Sequence, residues 1–153
     1  MKPNRDHDPS NLKHKDITGA ILKCFFRVHT ELGFGFLESV YHQAMLLELA
    51  GHGLKVQSEV PLRVLFKNKP IGVFYPDLIV NDVVIIELKS VSGLTSSHKT
   101  QLLNYLKASQ CEVGMLLNFG RNAEFQRLVF ENHPSQEISL GERVKLSIKK
   151  DGR

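Results

Sequence analysis

Val83-Val84-Ile85-Ile86-Glu87-Leu88-Lys89-Ser90-Val91 decides how the rest of this sequence is read. It is an apolar strand of the kind found inside a sheet, broken by two charges two positions apart. Strand side chains alternate between faces, so Glu87 and Lys89 point one way and Leu88 the other. Placing unpaired charges beside such a strand carries an effective desolvation penalty of several kcal/mol per ion, unless a partner, water or a metal compensates. The segment therefore predicts a bound group.

One strand upstream, Val73-Phe74-Tyr75-Pro76-Asp77-Leu78-Ile79-Val80 carries a second carboxylate, ten residues before Glu87 and across a turn at Asn81-Asp82. Two carboxylates on neighbouring strands can chelate a hard cation such as Mg²⁺, which prefers oxygen ligands. Register sets a condition. With a strict two-residue turn Asp77 would face Ile86 and point away from Glu87, so a shared site predicts a longer turn or a β-bulge near residues 76 to 83. Taken singly, a same-face ion pair would also explain Glu87 and Lys89, and a turn-flanking carboxylate would explain Asp77.

Farther out, Lys55 to Val91 is rich in Val, Ile, Leu and Phe and is interrupted at Pro61, Lys67-Asn68-Lys69-Pro70 and Asn81-Asp82, which reads as three strands. Before them, Ile17, Ile21, Cys24, Phe25, Val28 and Leu32 form the stripe of an amphipathic helix, ended by Gly33-Phe34-Gly35. Leu37, Val40, Tyr41, Ala44 and Leu47 mark a second helix, ended by Gly51-His52-Gly53. After them comes a helix over Thr95–Ser109, with Ser96 or Ser97 as N-cap and Leu102, Leu103 and Leu106 buried. Val113–Phe119 reads as a strand covered on both faces, and Phe125–Phe130 as a weaker one. The order predicts an α/β fold with a mixed central sheet flanked by helices.

With 153 residues and 42% hydrophobic content, the chain has the size and apolar share of one domain. Met1 to Lys15 is polar, with no apolar run that would serve as a signal or anchor, and nothing later reaches the ~20 apolar residues of a spanning helix. The expected division is a polar leader over 1–15, a domain over 16–130 and a basic tail over 131–153. Two cysteines, Cys24 and Cys111, both in apolar settings, disfavour a disulfide framework and point to a cytoplasmic location. The net charge of +4 is compatible with a polyanionic partner. Much of the basic charge is at the ends, as in Arg5, Lys13, Lys149 and Arg153.

Pro76-Asp77 on one strand and Glu87-x-Lys89 on the next, in this element order, resemble the PD-(D/E)xK nuclease superfamily. Gly35-Phe36-Leu37-Glu38-Ser39-Val40-Tyr41 is similar to the signature of the GxxExxY protein family within it. Gln101 and Tyr105, four apart on one helical face, resemble the Gln-x-x-x-Tyr motif of the RecB-like branch. The likeness runs from about Asp16 to Gly120 and departs at Phe34, where the family commonly has proline. It implies an αβββαβ core and hydrolysis of phosphodiester bonds in nucleic acid, DNA ahead of RNA. It also implies Mg²⁺ or Mn²⁺ held by Asp77, Glu87 and the Leu88 carbonyl with Glu38 assisting, Lys89 as a catalytic cation, and Gln101 and Tyr105 positioning substrate.

Read without the resemblance, Glu38 is a first-turn carboxylate favoured by the helix dipole, Tyr41 belongs to the core and His29 is structural. The competing function is a catalytically silent module of the same fold that binds nucleic acid or a partner protein. A protein partner or a homodimer supplying further binding surface stays open, and no membrane association is expected.

Overall fold

The computed structural model describes residues 13–131; the expected leader up to residue 12 and the basic tail from residue 132 lie outside the described residues. The chain opens with two helices, α1 (Lys15–Leu32) and α2 (Glu38–Gly51). Gly33, with φ 68°, ends α1 by returning its N–H to the His29 carbonyl at 2.8 Å. A left-handed residue there costs glycine little.

Five strands follow rather than the three expected: β1 (Val56–Ser58), β2 (Leu62–Phe66), β3 (Lys69–Phe74), β4 (Leu78–Val80) and β5 (Val84–Lys89). Then come α3 (Ser96–Lys107), β6 (Val113–Phe119) and β7 (Ala123–Val129). The main sheet has the order β1-β4-β5-β6-β7, and β2 and β3 form a separate two-stranded sheet. Only β5 and β6 run parallel, joined through α3, so the sheet is mixed as expected. The run Val73–Val80, expected as one strand, is split at Tyr75-Pro76-Asp77. Pro76 has no N–H for a ladder, and the chain leaves one sheet and enters the other there.

Alternation along the strands builds two cores. Leu78, Val80, Val84, Ile86 and Leu88 pack with Ile21, Phe25, Tyr41 and Met45 of α1 and α2. Ile79 and Ile85 pack on the opposite face with Leu102, Tyr105 and Leu106 of α3. Every residue of β6 is buried, as its nearly continuous apolar run predicts.

The buried stripe of α2 is Tyr41, Met45 and Leu49. Leu37 and Leu47, assigned to that stripe from the sequence, are 77% and 76% exposed. Both turn faces of this helix carry apolar residues, so periodicity had two solutions. The N-cap of α3 is Thr95, not Ser96 or Ser97: its Oγ1 accepts from the His98 N–H at 3.4 Å while His98 Nδ1 accepts from the Thr95 N–H at 3.0 Å. A histidine performs the return bond usually made by Glu or Gln in a capping box.

Candidate metal and nucleic-acid site

The turn between β4 and β5 contains three residues, Asn81, Asp82 and Val83, because Val80 pairs with Val84. Asn81 and Asp82 have φ of 50° and 61°. Short polar side chains tolerate the left-handed region better than other non-glycine residues do. This is the longer turn that a shared site demanded. The register Leu78 with Ile86, continued one step, sets Asp77 opposite Glu87 and on its face of the sheet.

The two acids are tied through the backbone as well. The Asp77 N–H donates to Glu87 Oε1 at 2.9 Å, and the Leu88 N–H donates to Asp77 Oδ2 at 2.8 Å. Glu87 is 4% exposed. Burial first, and then the charge of Asp77, push its carboxyl up to about 8, against smaller lowering effects from the Asp77 N–H and the Lys89 ammonium. Two carboxylates this close in a dry setting resist ionising together.

Lys89, two residues on, shares the Glu87 face and reaches Gln101 Oε1 at 3.4 Å. Gln101 Nε2 donates to the Tyr105 hydroxyl at 2.9 Å. Burial, followed by the charge of Glu87, raises the Tyr105 phenol above its ordinary value, so it stays protonated. Lys89, Gln101 and Tyr105 therefore form a chain from β5 to α3. Gln101 and Tyr105 line a cavity of about 450 Å³ with Phe74 and Ser97.

Glu38, in the first turn of α2, comes to the site from the other helical layer. With Asp77 and Leu88 it lines a second cavity of about 410 Å³. The structure thus brings together a bonded pair, Asp77 and Glu87, and a bonded chain, Lys89, Gln101 and Tyr105, and places Glu38 on a cavity shared with Asp77. His29 contributes structure, its Nε2 lying 2.8 Å from the Gly120 carbonyl. Tyr41 is fully buried and its hydroxyl donates to the Gly33 carbonyl at 2.6 Å.

Over residues 15–128 the chain matches the family model described as the PD-(D/E)XK nuclease superfamily. It belongs to that superfamily. The mixed sheet between helical layers agrees with this superfamily's core. Among solved structures, that of SSO0001 is similar at a TM-score of 0.49 and 19% identity, over 93% of this chain and 70% of that one. No curated protein matches.

Two residues of this superfamily member's site region escaped the sequence reading. His42 Nε2 lies 3.1 Å from both the Asp77 carbonyl and Ser58 Oγ. The signal was its position four after Glu38 on one helical face. Asn118, the β6 partner of Lys89 and 1% exposed, binds both the N–H and the carbonyl of Val91, each at 3.0 Å. A polar residue inside an apolar strand marked it, as the same pattern marked Glu87.

A different group of possible ligands lies between α1 and the far end of α2. One ligand atom each of Cys24, Glu48 and His52 fall within 4.8 Å of one another, so this group could hold a divalent ion. Glu48 and His52 stand 10 and 14 residues after Glu38, on the order of 15 to 20 Å along the helix. The Cys24 thiol, pushed up to about 11 by burial and then by Glu48, is protonated. Thiol and imidazole suit a zinc-like ion, whereas the Asp77–Glu87 pair offers the hard oxygens that Mg²⁺ or Mn²⁺ takes. Among the described residues no helix is long and apolar enough to cross a membrane.

Proposed function

We propose that this chain is a divalent-metal-dependent phosphodiesterase of the GxxExxY group, cytoplasmic, cleaving nucleic acid and DNA in preference to RNA. The observation that carries the reading is the abutting pair Asp77 and Glu87, with Glu87 buried and its carboxyl pushed up to about 8. Such a pair is unfavourable as two bare anions and becomes favourable as a ligand set for a dication. Asp77, Glu87 and the Leu88 carbonyl hold Mg²⁺ or Mn²⁺ in this reading, with Glu38 assisting from α2.

The bound ion would polarise the phosphate and lower the pKa of its water. The protein groups do the rest. Lys89, directed by its bond to Gln101, sets its ammonium against charge gathering on the phosphoryl oxygens. The Tyr105 hydroxyl accepts from Gln101 and keeps its own proton free to donate to substrate. His42 holds the Asp77 backbone and so orients that carboxylate.

The test is cleavage of labelled single- and double-stranded DNA and RNA in EDTA, Mg²⁺ or Mn²⁺ by wild type, Asp77→Ala and Lys89→Ala. Metal-dependent cutting that falls by orders of magnitude in both variants is expected. Absence of both cutting and Asp77-dependent metal binding, read by calorimetry, would leave the silent binding module in its place.

A further inference from the structure

The β2–β3 sheet is a ribbon outside the main sheet, and its composition is one-sided. Between Val60 and Phe74 it carries Arg63, Lys67 and Lys69 and no carboxylate. Its tip is the two-residue turn Lys67-Asn68, with φ of 50° and 61°, joining the paired residues Phe66 and Lys69. Left-handed residues at both positions give a turn whose twist matches the strands, so the ribbon has a defined shape up to its end.

Apolar side chains accompany the cations into solvent. Phe66, Ile71 and Val73 are 46%, 64% and 45% exposed. The Lys67 ammonium stands 5.4 Å from the centre of the Phe66 ring. At the other end of the ribbon the Phe74 ring lies 5.4 Å from Tyr105 and lines the Gln101–Tyr105 cavity. The ladder from the Phe66–Lys69 pair to the Leu62–Phe74 pair spans four steps of β2, with Ile71 bulged out of register; at about 3.3 Å per residue that is roughly 13 Å, or about four steps of 3.4 Å along a DNA strand.

Cations flanking an exposed ring fit a polyanion that also offers stackable bases. A second copy docked tip to tip on the same face would set Lys67 and Lys69 against like charges. We propose that the β2–β3 hairpin is a nucleic-acid-binding arm, in which Lys67 and Lys69 hold phosphates about four steps from the Gln101–Tyr105 cavity and Phe66 meets a base or sugar. The inference rests on the nuclease reading of the site and adds to it the surface that holds the substrate away from the chemistry.

The experiment is binding of a labelled duplex of about twenty base pairs, and of its single strand, by fluorescence anisotropy in EDTA between about 50 and 200 mM salt. Wild type is compared with Lys67→Gln/Lys69→Gln, whose exposed positions leave the melting temperature as the check on folding. The expected result is a tenfold or greater loss of affinity, and a salt slope on duplex reduced by about 1.8, or 0.9 for each lost phosphate contact. Unchanged affinity and slope, with wild type binding, would overturn the arm and leave the nuclease reading in place. No binding by wild type to either probe would likewise overturn the arm, while the nuclease reading stands or falls on the cleavage and metal-binding assays. A wild-type dimer that Ile71→Ser dissociates, with DNA affinity equal in wild type and the lysine variant, would reassign the ribbon to self-association.

Discussion

Glu87 sits in an environment far from that of a free side chain. Its carboxyl rises from an ordinary 4.5 to about 8 because burial and Asp77 both oppose its charge. The folded chain therefore keeps a proton that the unfolded chain releases above about 4.5. That contribution to stability is complete below about 4.5 and is lost as pH rises toward about 8. Thermal denaturation in EDTA should show metal-free wild type losing stability from pH 5 to 8, whereas Glu87→Gln, which keeps the acceptor for the Asp77 N–H, should be nearly flat. A wild-type stability that climbs over this range would contradict the pairing. Mg²⁺ or Mn²⁺ should offset the loss at pH 8 more than at pH 5, because its ligands must be deprotonated.

At the scale of elements, the position of α3 carries Gln101 and Tyr105 to Lys89, and its start depends on Thr95. The reciprocal bonds of Thr95 and His98 satisfy two N–H groups that the first turn leaves free. Thr95→Ala should cost about 1 kcal/mol, while Ser96→Ala and Ser97→Ala should each cost a few tenths at most. Urea denaturation of the three variants separates them. A cap at Ser96 or Ser97 was the sequence expectation, and it failed because Thr, Ser and Ser in succession are equivalent candidates until the backbone chooses where extended geometry ends. The same kind of degeneracy misplaced the buried stripe of α2. Leu47 and Met45 are both acceptable core residues, and only the approach of α1 and the sheet decides for Met45.

The whole molecule depends on a clamp between its two ends of parallel strand. Asn118 on β6 binds both polar groups of Val91 just after β5, and its Nδ2 also donates to Glu124 Oε1 at 2.9 Å. Glu124 in turn accepts from the Leu94 N–H at 2.8 Å, so the loop that leads into α3 is held at two points. Gly120 passes so close that a Cβ there would stand 2.5 Å from the Val91 carbonyl oxygen. Asn118→Ala should lower stability by about 1 to 2 kcal/mol, since it leaves the half-buried N–H and carbonyl of Val91 without their partner. It should also cut turnover more than metal affinity, because α3 moves relative to β5 while Asp77 and Glu87 stay joined. Calorimetric metal binding set beside kcat distinguishes the two effects.

The apolar run along residues 83–91, and the cost of charge inside it, were enough to single out Glu87 and Lys89 from the sequence alone. Helical spacing likewise joined Gln101 to Tyr105, and element order was enough for a mixed sheet between helices. These are local or periodic properties, written in consecutive residues. A shared site also required a longer turn or a β-bulge between Asp77 and Glu87, and the sequence did not choose between them. Tertiary structure alone decided that Val73–Val80 is shared between two sheets at Pro76, that His42 meets the Asp77 backbone, and that Asn118 grips Val91. The last two depend on residues 35 and 27 positions apart being brought together. Such pairings arise from packing the two helical layers on opposite faces of one sheet, and no short-range pattern encodes them.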